Sequence, residues 1–284
     1  MESSLSSLVF QVTDSVKYYY YDVWNTHGDP RVVNLPLMDG GPWNMILIIC
    51  AYLYCVKTVG PQFMKNRKAY DLRNFILMYN LTLIAINGWF FLTGCWVTNF
   101  GIDSWKCDLV DRRSRNFIDL YKIQLGWFFL MTKFVDFFDT FFFILRKKER
   151  QISGLHVFHH SCMPAFVWIG LKFAPGGNSG FFPWINSGIH TIMYTYYAMS
   201  TFEHLKPYLW WKKYLTQIQM VQFVLVILHS FYSMMSPGCQ WPKLFMYLSI
   251  FNAFLFLILF YSFFQQTYKV QQLKVKTKQT ADCK

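Results

Sequence analysis

Three histidines stand within five residues, His156, His159 and His160 of HVFHH. Spacings of three and four put their imidazoles on one helical face, in a stretch that otherwise reads as membrane helix. Ionisable side chains are costly in hydrocarbon, and where a membrane helix carries them they mark function. Imidazoles so placed support two chemistries. They can ligate a metal through neutral ring nitrogens, or one can act as base or nucleophile, accepting an acyl group and passing it on. Cys162 lies three residues past His159 and is a rival nucleophile, although a small thiol also packs as a hydrophobe.

Upstream, KFVDFFDT sets Lys133, Asp136 and Thr140 on one face with Asp139 beside them. A lysine and two aspartates among phenylalanines need partners, because an unpaired buried charge is expensive. They read either as an ion pair holding helices together or as the lining of a polar cavity near the cytosolic end. Downstream, NSGIHTIMYTYY aligns Asn186, His190, Tyr194 and Tyr197, and TQIQMVQF adds Gln217, Gln219 and Gln222. A lone His190 or a lone glutamine is more often a satisfied core group. Four segments that each carry such a cluster describe a polar chamber inside an apolar bundle. His27, His204 and His229 stand alone and read as loop or interface residues. The histidine distribution weighs against a di-iron centre of the kind found in membrane lipid desaturases and hydroxylases, which resembles several histidine boxes. This chain has seven histidines in all. A single metal held by the three boxed histidines stays open.

The elements that must position these residues are membrane helices. Hydrophobic residues make up 54% of the 284 and charged residues only 15%, and runs of about 20 apolar residues are long enough to cross a bilayer core of about 30 Å. Seven such runs lie near Trp43–Val59, Phe75–Val97, Phe117–Leu145, Leu155–Leu171, Phe181–Phe202, Tyr214–Met235 and Leu244–Phe264. The fourth and fifth are interrupted by polar residues. This is an all-α, polytopic chain with a luminal segment over 1–42, a seven-helix catalytic domain over 43–268 and a basic cytosolic tail over 269–284. No internal repeat is visible. The start of the chain lacks the basic-then-apolar pattern of a cleaved signal peptide, so Met1 is expected to be kept.

Lysine and arginine orient the bundle. Of 27 such residues, seventeen fall in one alternating set of loops, around Lys57–Arg73, Arg146–Arg150, Lys206–Lys213 and the C-terminal tail. Eight fall in the other set, and Lys122 and Lys133 lie inside the third span. The positive-inside rule puts the C-terminus in the cytosol and the N-terminus across the membrane. The net charge of +12 is thus mostly a topology signal, with attraction of anionic head groups or a polyanionic substrate alongside. The lysine-bearing tail (Lys274, Lys276, Lys278, Lys284) reads as a solvated basic segment. Cys107 and Cys239 both fall in non-cytosolic loops, where an oxidising compartment would let them bridge. Cys50, Cys55, Cys95 and Cys162 read as small buried hydrophobes, and Cys283 falls in the tail.

Taken together and in this order, KFVDFFDT, HVFHH, HTIMYTYY and TQIQMVQF resemble the very-long-chain fatty acid elongases. These are the condensing enzymes (3-ketoacyl-CoA synthases) of the endoplasmic reticulum membrane, and the resemblance covers roughly residues 20–270. One departure is Asp136, where the family usually shows glutamate. The resemblance implies seven transmembrane helices, six of them around a narrow tunnel open to the cytosol. It implies that a long-chain acyl-CoA and malonyl-CoA are joined to give CO2, CoA and a 3-ketoacyl-CoA two carbons longer, with no metal or redox cofactor. By position, His159 is the implied acyl-accepting nucleophile. His156 and His160 would orient it or move protons, and His190 would assist condensation. Lys133, Asp136, Asp139, Asn186, Tyr194, Tyr197 and Gln219 would bind substrate, and basic residues would meet the CoA phosphates. The implied partners are the two CoA thioesters, the bilayer, a second copy of the chain and the other enzymes of the elongation cycle, with no nucleic acid. The alternative readings are a metal-dependent lipid desaturase or hydroxylase, or a non-enzymatic seven-span transporter or receptor.

Overall fold

The computed structural model describes residues 11–107 and 111–269. Among them the chain is helical, without strands. All seven apolar runs fall in helices: α1 Trp43–Met64, α2 Arg73–Val97, α3 Phe117–Val135 with α4 Phe137–Leu145, α5 Gly154–Phe173, α6 Phe181–Ser200, α7 Lys212–Met235 and α8 Lys243–Phe264. Four helical stretches, Trp43–Met64, Arg73–Val97, Lys212–Met235 and Lys243–Tyr268, are long and apolar enough to cross a membrane. The protein is thus an all-helical, multi-pass membrane chain. In lipid, a helix satisfies its backbone internally, which is why apolar runs of this length take that form. The third run is not one helix. At Asp136 the ladder tightens, and the Asp139 N–H reaches the Asp136 carbonyl at 3.3 Å. The lysines of the tail and Cys283 lie outside the described residues.

By internal packing the chain divides into two compact units, each discontinuous in sequence: 1–69 with 110–179, and 70–109 with 180–284. In the first, α1 packs on α4 and α5, and α3 packs on α5. Tyr52, Val56, Met64, Phe137 and Ile144 form its buried core. Gly60 allows α1 close to α4: a Cβ there would meet Ile144 Cγ2 at 2.9 Å. A π-helical turn over Cys55–Val59 precedes that contact, an irregularity common in helices that carry function.

The same unit is closed at one end by its N-terminal segment. Tyr18–Asp22 and Val23–His27 form a short helical stretch, and the loop after it buries Asp29, Val32 and Met38. Indole N–H groups fasten this loop, Trp127 to the Pro36 carbonyl at 2.9 Å and Trp168 to that of Leu37 at 2.8 Å. Arg31 grips Asp29 in a bidentate pair, Nε to Oδ1 at 2.9 Å and Nη2 to Oδ2 at 2.7 Å. Lys172, fully buried in the last turn of α5, donates to Asn25 Oδ1 at 2.8 Å and to the Met38 carbonyl at 2.6 Å. One residue past the fourth apolar run, Lys172 counts in the sequence among the loops of the less basic set. The structure corrects this: with two oxygens supplied by the N-terminal segment, its ammonium can stay inside.

In the second unit α2 packs along α6, α6 against α7, and α7 against α8. Leu83, Met193, Tyr194, Tyr196 and Leu215 are buried together. Small residues let helices approach where lipid supplies no hydrophobic drive. A Cβ on Gly94 would meet Trp184 Cδ1 at 2.5 Å, and Gly101 (φ 83°) faces the same indole. A disulfide joins Cys107 to Cys239 (Cα–Cα 5.3 Å). His229, expected in a loop or at an interface, is instead buried within α7. Its Nε2 lies 2.9 Å from the Ser104 carbonyl and its ring stacks on Phe181 at 4.2 Å. A neighbouring carbonyl satisfies this imidazole, so it belongs to the core.

Two outcomes are expected. Lys172→Met leaves the buried Met38 carbonyl without its donor, while Asn25 Oδ1 keeps the Gly40 N–H, at about 1–3 kcal/mol; a detergent melting curve should show a lower Tm. Asp39 accepts from the Tyr21 phenol at 2.5 Å and from Asn25 at 2.9 Å, and these bonds, the phenol's first, hold its carboxyl below the usual range. A carboxyl depressed in the folded state adds stability above its unfolded value near ~3.9, and that stability is lost as pH falls through the lower folded value. The wild-type Tm should therefore drop more steeply than that of Asp39→Asn as pH is lowered below about 4.

Candidate active site

The polar clusters divide between the two units. The first unit holds Lys133, Asp136 and Asp139 around the junction of α3 and α4, and the three boxed histidines in the first turns of α5. Ser153 caps α5, its side chain accepting from the His156 N–H at 3.1 Å. That cap starts the helix just before the box, so all three rings stand on regular turns.

Lys133 and Asp136 are each 4% exposed. Their side chains meet at 3.0 Å, Nζ to Oδ2, and the ammonium also lies 4.6 Å from the Phe129 ring centroid, a further favourable contact. Reaching one turn along the chain, the shorter aspartate closes the pair in this protein. Asp139 is partly buried beside it. The Thr140 hydroxyl of the same motif lies 2.8 Å from His156 Nε2, so KFVDFFDT and HVFHH come together.

Within the box, the His156 and His160 ring centroids are 4.2 Å apart and those of His159 and His160 5.7 Å. The His159 Nδ1 atom is shut away from solvent. His156 Nε2 lies 2.8 Å from Thr140 Oγ1, which in turn lies 2.9 Å from the Tyr52 hydroxyl. Among the described residues, no three His, Cys, Asp or Glu side chains are grouped as metal ligands. Cys162 is a partly buried free thiol.

The second unit holds its own polar row. Asn186, His190 and Tyr194 are buried along α6, and Tyr197 is partly buried. His190 and Tyr194 rings are 5.9 Å apart, and Tyr194 and Tyr197 6.0 Å. From α7, Gln222 accepts from Asn186 Nδ2 at 3.4 Å and Gln219 donates to Met193 Sδ at 3.4 Å. Gln217 is exposed. Gln222 is therefore the buried glutamine of its motif, five residues from the exposed Gln217 and so on a different side of α7. Tyr52 was missed because nothing in its local sequence distinguishes it from other membrane tyrosines.

Sequence comparison agrees with this assembly of motifs. Residues 37–278 match the model of the GNS1/SUR4 family, ELO. The chain belongs to the GNS1/SUR4 family. Its relatives in that family include very long chain fatty acid elongase 1 of Homo sapiens, 41% identical over 90% of this chain and 91% of that protein. A very long chain fatty acid elongase of Aedes aegypti is 41% identical over 93% of this chain and 72% of its own length. Very long chain fatty acid elongase 4 of Mus musculus is 36% identical over 98% and 88%. The resemblance read from four motifs is thus one of membership across nearly the whole chain.

For this member of the GNS1/SUR4 family, the buried pair gives a direct test. Asp136→Asn keeps the shape and removes the charge that neutralises Lys133, at about 3–5 kcal/mol. A marked fall in Tm in detergent is expected. The double variant Lys133→Met/Asp136→Leu should recover most of that stability, since removing both charges also removes the desolvation cost. A single variant melting at the wild-type temperature would refute the pairing.

Proposed function

We propose that this chain is a very-long-chain 3-ketoacyl-CoA synthase, condensing a long-chain acyl-CoA with malonyl-CoA. The observation that carries the reading is the histidine box joined, through Thr140 and His156 at 2.8 Å, to the segment that holds the buried Lys133–Asp136 pair, in a chain of the GNS1/SUR4 family. The relatives named as very long chain fatty acid elongases support the same chemistry.

The reaction runs in two halves. The neutral His159 ring attacks the thioester carbonyl carbon of the acyl-CoA, an N–C bond forms, and the C–S bond breaks. The ring proton leaves with the CoA thiolate. Malonyl-CoA then loses CO2, and the electron pair of the broken C–C bond attacks the acyl carbon. The N–C bond to His159 breaks, the ring nitrogen takes up a proton from water to become neutral imidazole again, and a 3-ketoacyl-CoA longer by two carbons is freed. Substrate carbon supplies the nucleophile, so the scheme draws on no metal or redox cofactor. Lys133 offers a positive charge beside the thioester, held in place by Asp136, and His160 sits against both other rings. His190, with Asn186, Tyr194, Tyr197 and Gln219, serves the condensation half and the malonyl group. An apolar bundle rich in aromatic residues suits an acyl chain, and the basic segments suit the CoA phosphates.

In this reading all seven apolar runs cross the endoplasmic reticulum membrane, with the N-terminus luminal and the C-terminus cytosolic. The lysine and arginine bias supports that orientation, as does a disulfide between Cys107 and Cys239, both in loops assigned to the oxidising side. A second copy of the chain and the reductases and dehydratase of the cycle are its natural partners.

Purified protein should incorporate labelled malonyl-CoA into 3-ketoacyl products, and His159→Ala should lower that rate by on the order of 10³-fold. With acyl-CoA alone, mass spectrometry should find the acyl group on the peptide carrying His159. Full activity in His159→Ala, or an adduct on Cys162, would overturn the nucleophile. Activity that tracked bound iron or zinc would return the metal reading, and transport without condensation would return the transporter.

A further inference from the structure

Two hydroxyls left without a role in that scheme end on the histidine box. Tyr52 lies 2.9 Å from Thr140 Oγ1, and Thr140 Oγ1 lies 2.8 Å from His156 Nε2. Tyr52 is 2% exposed and Thr140 fully buried, so each hydroxyl hydrogen must be used inside the protein. A phenol has one hydrogen to give, and so has threonine. Among the described residues, Thr140 is the hydrogen-bond partner of the Tyr52 hydroxyl.

That accounting sets the direction of the chain. Tyr52 donates to Thr140, Thr140 spends its single hydrogen on His156, and His156 Nε2 accepts. A neutral imidazole that accepts at Nε2 carries its proton on Nδ1. Packing keeps the donors in place: the Tyr52 ring stacks on Phe137 at 4.0 Å and meets the edge of Phe141 at 6.1 Å. His156 itself is flanked by Phe143 at 5.3 Å and His160 at 4.2 Å. Adding a proton at Nε2 would make that nitrogen a donor. Thr140 would have to turn its hydrogen towards Tyr52, and the phenol hydrogen would be stranded among apolar rings.

We propose that Tyr52 and Thr140 are positioning residues that lock His156 as its neutral Nδ1–H tautomer. His156 then serves the box as a hydrogen-bond donor and is excluded as its base. The role rests on HVFHH being the acyl-transfer centre, whereas the tautomer does not. With His159 as the nucleophile, base duty in the box falls to His160.

Thr140→Val, Thr140→Ser and Tyr52→Phe in the full chain test this by kinetics and by ¹⁵N NMR of histidine-labelled protein in detergent, with His156 assigned by difference from His156→Gln. In the wild type, His156 should show an unprotonated Nε2 and a protonated Nδ1. Thr140→Val should mix the tautomers and lower kcat by on the order of 10²-fold with little change in KM. Thr140→Ser should restore both, and Tyr52→Phe should give a smaller loss of the same kind. A protonated Nε2 in the wild type overturns the proposal, as does Thr140→Val with wild-type kcat. Should Thr140→Val fail to fold, the wild-type and Tyr52→Phe spectra decide. The NMR reading needs no turnover, so a wild type without condensing activity would sink the synthase reading and leave the tautomer result standing.

Discussion

The cost of an unanswered charge in an apolar bundle governs this structure. Lys133 and Asp136 are almost wholly buried, and either one alone would be a buried charge without its counter-charge. Their contact at 3.0 Å holds the turn at which the third apolar run breaks into α3 and α4. That break carries Thr140 onto α4, where it meets the first histidine of the box. The charge pair, the helix junction and the imidazoles are therefore linked through one short stretch of chain. A change to any of them is felt by the others.

The same constraint acts at the end of the first unit that the N-terminal segment closes. Lys172 is tolerated there because Asn25 and Met38 offer it oxygens, and the indoles of Trp127 and Trp168 donate to the same loop. The segment buries Val32 and Met38 and is also held by hydrogen bonds from the helices beneath it. In the second unit, covalent chemistry does comparable work, with Cys107–Cys239 tying the loop after α2 to the loop between α7 and α8. The buried His229 donates its Nε2–H to the loop after α2, at the Ser104 carbonyl.

Within the histidine box, three chemically identical side chains are made unequal by their neighbours. His156 is tied to a hydroxyl chain, the His159 Nδ1 atom is shut away from solvent, and His160 packs against both other rings. Such inequality lets one motif supply a nucleophile, a donor and a base together, since each role demands a different proton arrangement.

Much was legible in the amino-acid order. Apolar run length alone gave the helices and the membrane, because hydrocarbon forces backbone groups to pair within the segment. Local spacing gave the shared faces of Lys133 with Asp136 and of Asn186 with His190, because those partners lie within a turn or two. Four motifs in series gave the family. What the sequence could not reveal were contacts between helices distant in the chain. Tyr52 meets Thr140 across 88 residues, Lys172 finds Met38 across 134, and Gln222 rather than Gln219 faces Asn186. His229 and Lys172 were misplaced for the same reason: whether a polar side chain is solvated or buried depends on an acceptor brought from elsewhere. Periodicity says which face a residue occupies, and only packing says what that face meets.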